Sequence, residues 1–435
     1  MSVISDVAGP PATRSIGFWT AVALVMGNMI GSGVFLLPAS LAQYGGISLA
    51  GWLVSGAGSI LLSLVFAQLA STNPARGGPY AYTRAAFGDL ASFLVAWGYW
   101  ISTWCANAAL AVAFVGYLDP FLPSIVRNPA AAAALAVTVL WLLTGVNIAG
   151  IRLAGRVQVI TTVLKVLPLV FVGGAGLLAL DRTHFAIADA SVRTMASGLT
   201  SSATLTLWAF LGLECATIPA AAIEHPERTI PRATVIGTLA AALIYILSTV
   251  GIMGVLPLDT LAHSPAPYAE AARALAGDRA AAIVALGAAI SCFGALNGWI
   301  LIVGQLPMAV AHDGLFPRIL GRSSARGTPV GGLVVAGILA TALIAMNYTR
   351  GLVELFTFII LLATLSTLVP YAFCSLAGFM TRRDSRPRAT WYLIVASLAF
   401  AYSLFAIAGA GAEVVYWGFL LLMGGLPVYV WVTRP

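Results

Sequence analysis

Two ionisable side chains lie where an apolar chain has least use for charge: Lys165 within TTVLKVLPLV and Glu214 within FLGLE. Each is costly inside a bilayer and is expected to face the bundle interior or water, where a carboxylate can gate, sense protons or support its neighbours. A lysine in low dielectric holds its proton loosely and can release it during a cycle. A third feature is GNMIGSGVF, Gly27 to Phe35, where Gly31, Ser32 and Gly33 are consecutive. Consecutive residues point to different faces of a helix, so one tight packing face does not account for all three, whereas local unwinding does. The backbone N–H groups freed there, at the positive end of a half-helix, suit a carboxylate. Trp208 and Trp299 sit in mid-span beside Ala209 and beside Asn297 and Gly298. An indole face takes a guanidinium or ammonium ion with about 0.5–2 kcal/mol. Asn107, in WCANAALAV, offers an amide either to a ligand or to a neighbouring helix.

The elements that must carry these residues follow from composition. Of 435 residues, 60% are hydrophobic and only 9% charged, a balance far from that of a soluble domain. From residue 15 to 75 there is no Asp, Glu, Lys or Arg, enough apolar chain for two spans. Apolar runs predict about twelve membrane helices, near 15–40, 48–71, 83–117, 130–148, 157–180, 195–222, 233–256, 280–311, 329–347, 352–380, 389–409 and 412–433. The sixth run is interrupted at Phe210 to Glu214, with Pro219 following, much as the first is at Gly31 to Gly33. Breaks five spans apart predict an inverted repeat of two five-helix units, with irregular backbone at membrane depth lining a polar cavity. The expected organisation is a short N-terminal segment over 1–14, a ten-helix core over 15–380, and two further helices over 381–435.

An even number of spans puts both termini on one side. The loops on that side hold Arg14, Arg76, Arg84, Arg152, Arg156, Arg228, Arg232, Arg318, Arg322, Arg326, Arg382, Arg383, Arg386, Arg388 and Arg434, and the opposite side holds Arg127, Arg182, Arg193, Arg273, Arg279 and Arg350. Fifteen against six places both termini in the cytoplasm. The net charge of +7 is then an orientation and lipid-headgroup signal, with no support for nucleic acid as a partner. The first fourteen residues lack a signal-peptide pattern, so the first helix is expected to remain. Cys105, Cys215, Cys292 and Cys374 lie in apolar runs without ligand spacing and are expected to pack as small residues, with no disulfide, zinc or other cofactor. His184, His225, His263 and His312 fall in or near loops, and no acid/base or metal set converges within the spans, so an enzyme is not expected.

The stretches GNMIGSGVFLLPASLAQYGG, ARGGPYAYTRAAFG, LWAFLGLECATIPAAAIEHPERTIPRATVIG and NGWILIVGQLPMAVAHDGLFP resemble the amino acid, polyamine and organocation transporter superfamily. Within it they are most similar to the basic amino acid/polyamine antiporters, the arginine/agmatine exchangers among them. The likeness runs through nearly the whole chain. It implies that Ile30, Gly31, Ser32 and Gly33 hold the substrate's α-carboxylate and amino group, that Trp208 caps it, and that carbonyls near Leu211 take the amino group. It further implies that Asn107 and Trp299 hold the far, cationic end, that Tyr99 and Glu214 act in gating, and that Tyr80 belongs to a cytoplasm-side gate linked to pH. The resemblance also implies a homodimer in the bacterial inner membrane.

The sequence departs from the arginine/agmatine exchangers in three places. Ser102 and Thr103 replace an alanine and a cysteine, with Leu110 for a methionine on the same helix; FIILLATLSTLVP is more apolar than its counterpart; and Lys165 stands where a small apolar residue is usual. Elsewhere in the superfamily a lysine at this place substitutes for a sodium ion. The expected function is exchange of arginine for agmatine by alternating access, without sodium. The alternatives are ornithine/putrescine or lysine/cadaverine exchange, proton-coupled uptake using Lys165, and a non-transporting amino acid sensor, for which an appended soluble domain would be expected.

Overall fold

Charge-free apolar segments satisfy their backbone groups internally, so this chain builds helices and, among the described residues, no strand. The computed structural model describes residues 17 to 72, 78 to 149, 165 to 185, 191 to 217, 223 to 324, 328 to 380 and 390 to 434. The segment 1–14, the first part of the fifth predicted span, Pro219 and the basic residues Arg76, Arg152, Arg156, Arg326, Arg382, Arg383, Arg386 and Arg388 lie outside these.

The longer helices run α1 Phe18–Met29, α2 Ser32–Ala42, α3 Ile47–Thr72, α4 Pro79–Gly116, α5 Pro129–Ala149, α6 Val166–Leu178, α7 Val192–Leu207, α8 Pro226–Val255, α9 Pro267–His312, α10 Val330–Asn347, α11 Leu352–Met380, α12 Thr390–Gly409, α13 Ala412–Met423 and α14 Gly425–Thr433. Nine stretches among the described residues are long and apolar enough to cross a membrane, α13 and α14 counting as one; α2 and α6 are shorter apolar helices. The chain is an all-α multi-pass membrane protein.

Several predicted spans change shape in the fold. The first divides into α1 and α2. The sixth keeps regular helix only to Leu207 and continues as short 3-10 turns at Trp208–Phe210 and Cys215–Thr217. The eighth is the second part of α9, which bends at Ala276 and Gly277, where Gly277 has φ of +80°. The last divides at Gly424.

Helix α4 is buried along nearly its whole apolar length and packs most extensively on α11 and α9. Between α6 and α8 the backbones touch: a Cβ on Gly251 would lie 2.7 Å from the carbonyl oxygen of Gly173. Without a hydrophobic drive between helices in lipid, close approach through glycines is what holds such a pair. Helices α13 and α14 lie at the periphery, with Tyr416, Phe419 and Trp431 exposed.

Candidate functional site

The first helix breaks over fewer residues than its glycines suggest. Ile30 and Gly31 alone leave the helical region, with Ile30 at ψ 90° and Gly31 at φ −132°, ψ −142°; Ser32 and Gly33 already form the first turn of α2. The expected unwinding of all three is therefore corrected to Ile30–Gly31, and Gly33 is small for a different reason. A Cβ there would meet Trp208 Cδ1 at 2.8 Å and the Cα of Ala209 at 3.1 Å. The helix yields so that α2 can touch the irregular segment after α7.

That segment starts two residues earlier than the sequence suggests, at Trp208. Leu211 is extended, and Gly212 has φ of +103°, a conformation an L side chain rarely takes; its ideal Cβ would also lie 3.3 Å from Asn28 Cβ. The two breaks thus face each other. Between them lies a small cavity of about 20 Å³, lined by Gly31, Ser32, Gly33, Ser102, Trp208, Leu211 and Trp299, with Asn28, Met29, Ala106 and Leu110. This is room for little more than one water, so the cavity is narrow at its centre.

Seven sequence-predicted residues meet at this cavity. Ile30, Thr103 and Asn107 do not line it: Ile30 is buried at the break, and Thr103 Oγ1 turns back to donate to the carbonyl of Trp100 at 2.8 Å. Asn107 is buried with its Oδ1 lacking a hydrogen-bond partner, as is Ser32 Oγ at the cavity wall. Orphan buried polar atoms in a native protein call for explanation, and a ligand or water at the site supplies one. The amides at the start of α2 have no side-chain cap from Gly31, leaving a positively polarised helix end beside Ser32.

The other end of the break is negative. Ile30 N–H bonds to Met26 O, and because Ile30 and Gly31 then leave the helix, the Gly31 amide does not meet the carbonyl of Gly27. Lys165 Nζ, fully buried just before α6, donates to that oxygen at 3.0 Å. A cation thus meets the carbonyl end of α1, where the dipole favours it.

Glu214 is fully buried and held by two phenols: Tyr99 on α4 donates to Oε1 at 2.5 Å, and Tyr371 on α11 donates to Oε2 at 2.6 Å. Tyr99 and Glu214 are each expected in gating, and their contact is a finding of the structure; Tyr371 is not among the expected residues, its only signal being a polar ring in an apolar run. Tyr80 is far from this cavity, at the start of α4, where its hydroxyl donates to Asp313 Oδ2 at 2.8 Å. Arg84 pairs with the same Asp313 oxygen at 2.9 Å and with Asp89 Oδ1 at 2.9 Å, tying α4 to the end of α9.

Helix α11 also supplies a hydroxyl that its apolar sequence hides. Thr367 Oγ1 shares a short hydrogen bond with Ser102 Oγ. The threonine sits among leucines and serves as its own helix's backbone ligand, which is how it escapes notice in sequence.

The comparisons with known proteins agree with one another. The amino acid permease family model matches residues 16–427. A cadaverine/lysine antiporter of Escherichia coli (strain K12) is 34% identical over 410 residues, covering 92% of this chain and 91% of the relative. Two proteins named putrescine transporter PotE also match. The one from Haemophilus influenzae is 32% identical and covers 97% of this chain and 98% of its own length; the one from Escherichia coli (strain K12) is 31% identical and covers 96% of each.

Proposed function

The chain belongs to the amino acid permease family, and from that premise we propose that it exchanges a cationic amino acid for the amine left by its decarboxylation. The carrying observation is the narrow cavity where two helix breaks, two indoles and the orphan Ser32 hydroxyl meet. In this reading the α-carboxylate sits on the amides of Gly31, Ser32 and Gly33, beside Ile30, and the amino group on carbonyls near Leu211. Trp208 and Trp299 lie over the cationic parts, with Asn107 toward the far end.

The cavity as it stands is too small for an amino acid, which fits a state closed between two openings. Trp208 moves away to admit substrate from one side, and the site then opens to the other, the alternating access of a broken-helix transporter. Glu214, with Tyr99 and Tyr371, braces α4 and α11 against the broken segment. Tyr80, with Asp313 and Arg84, holds the opposite end of α4.

The architecture in this reading is a ten-helix inverted repeat over 15–380 with two helices added over 381–435. Both termini face the cytoplasm of a bacterial inner membrane, and the unit is a homodimer. Arginine/agmatine is the first pair to test, with lysine/cadaverine and ornithine/putrescine as rivals. In each, a singly charged amino acid enters and a doubly charged amine leaves, so one positive charge is exported per cycle. Lys165 stands as a fixed cation in place of sodium. Its burial and bond to Gly27 also favour a second reading, proton-coupled uptake in which Lys165 cycles its proton.

Labelled arginine uptake into proteoliposomes separates these readings, with the lumen empty or loaded with agmatine, cadaverine or putrescine. Uptake only into loaded vesicles, fastest with agmatine, is the expected result. Uptake into empty vesicles driven by a pH gradient replaces exchange with symport; preference for cadaverine or putrescine with its parent amino acid changes the pair. No flux of any of these substrates sinks the transport reading.

A further inference from the structure

The direction of one hydrogen-bond relay fixes what the cavity can accept at its side wall. Thr367 Oγ1 lies 3.1 Å from the carbonyl oxygen of Ala363, one turn back on α11, and a carbonyl only accepts. In this arrangement the single hydroxyl hydrogen of Thr367 goes to Ala363. Either oxygen can donate in the short bond between Thr367 and Ser102, and with the Thr367 hydrogen on Ala363 the donor there is Ser102. Ser102, which lines the cavity and is nearly fully buried, has no other hydrogen to give. With its hydrogen on Thr367, Ser102 has only lone pairs left for a ligand.

We infer that Thr367 is a positioning residue that makes Ser102 an acceptor-only group, so that the cavity selects substrates whose side chain ends in an N–H donor. This rests on the reading of the cavity as the substrate site and deepens it. A hydroxyl free to turn would serve donor and acceptor ends alike; one held by the relay penalises a ligand that presents an oxygen there, because two acceptors are then left facing each other in a buried space. The class selected is the ω-ammonium or guanidinium of a basic amino acid or diamine, and neutral amino acids of equal length are disfavoured.

The test is binding to the purified full-length protein in detergent, read by calorimetry, with lysine, norleucine and methionine sulfoxide as probes. These side chains are of similar length and their ends donate, do neither, and accept. Wild type is expected to bind lysine most tightly and the sulfoxide most weakly. Thr367→Val leaves the Ser102 hydroxyl free to turn, and the discrimination against the sulfoxide relative to norleucine is expected to fall about tenfold. Thr367→Ser restores it, which a merely structural role does not explain. Ser102→Ala, which keeps the bond from Thr367 to Ala363, is expected to lower the preference for lysine over norleucine about tenfold.

Ratios within twofold of wild type in folded Thr367→Val, or in Ser102→Ala should the valine variant fail to fold, overturn the inference. Absence of lysine and arginine binding to wild type overturns it together with the substrate-site reading. The expected binding pattern without exchange in vesicles overturns only the exchanger.

Discussion

Of the two glycines flanking Ser32, Gly33 is the more confined. Its would-be Cβ falls 2.8 Å from Trp208 and 3.1 Å from the Ala209 backbone, whereas at Gly31 the nearest atom is Ala295 Cβ at 3.3 Å. Gly33→Ala is expected to cost about 1–3 kcal/mol through overpacking against a backbone that cannot retreat. Thermal unfolding in detergent measures this, and exchange in vesicles is expected to slow because Trp208 is the group displaced. Glu214 accepts from Tyr99 and Tyr371 on separate oxygens. Glu214→Ala leaves two buried phenols without acceptors, at about 1–3 kcal/mol each, and is expected to destabilise more than Tyr371→Phe, which removes one donor. A double-mutant cycle with Tyr99→Phe and Tyr371→Phe is expected to be non-additive by about 0.5 kcal/mol or more, since both bonds end on one carboxylate.

At the scale of the element, the break between α1 and α2 offers two oppositely polarised ends. The amide end borders the cavity, while the carbonyl end is met by Lys165 through Gly27. Lys165→Met keeps length but removes the donor, leaving the Gly27 oxygen and the end of α1 without their cation. Exchange is expected to fall about tenfold or more, a loss of roughly 1.4 kcal/mol or more; an unchanged rate would remove Lys165 from the mechanism. The site was legible in sequence to the extent that irregular backbone announces itself through glycines, as at Gly31 and Gly212. It was less legible where a residue such as Gly33 is small because of a neighbour distant in sequence, or where a hydroxyl such as Thr367 hides in an apolar helix.

At the scale of the molecule, α4 links the central cavity to the contact with α9. Ser102 lines the cavity, Tyr99 reaches Glu214, and Tyr80 and Arg84 at the far end of the helix reach Asp313. The ion pair of Arg84 and Asp313 is more than a third exposed on both sides and is worth about 1 kcal/mol or less. Asp313→Asn is therefore expected to leave the melting temperature nearly unchanged. It is expected to alter the exchange rate severalfold by easing the opening at that end, with the effect shrinking as salt is raised. Parallel melting and flux measurements at two ionic strengths check this.

Composition alone determined that the chain is helical and crosses a membrane many times, because charge-free runs of span length have no other stable state in lipid. Local pattern located the two breaks within a few residues, since Gly31 and Gly212 weaken a helix wherever they stand. Tertiary structure decided which side chains face one another: that Gly33 meets Trp208, that Tyr371 completes the hold on Glu214, that Lys165 reaches Gly27, and that Ser102 shares a hydrogen bond with Thr367. These pairings join residues of separate segments, and neither periodicity nor composition records how one segment is turned against another. That rotation is set by packing, and packing is a property of the assembled bundle.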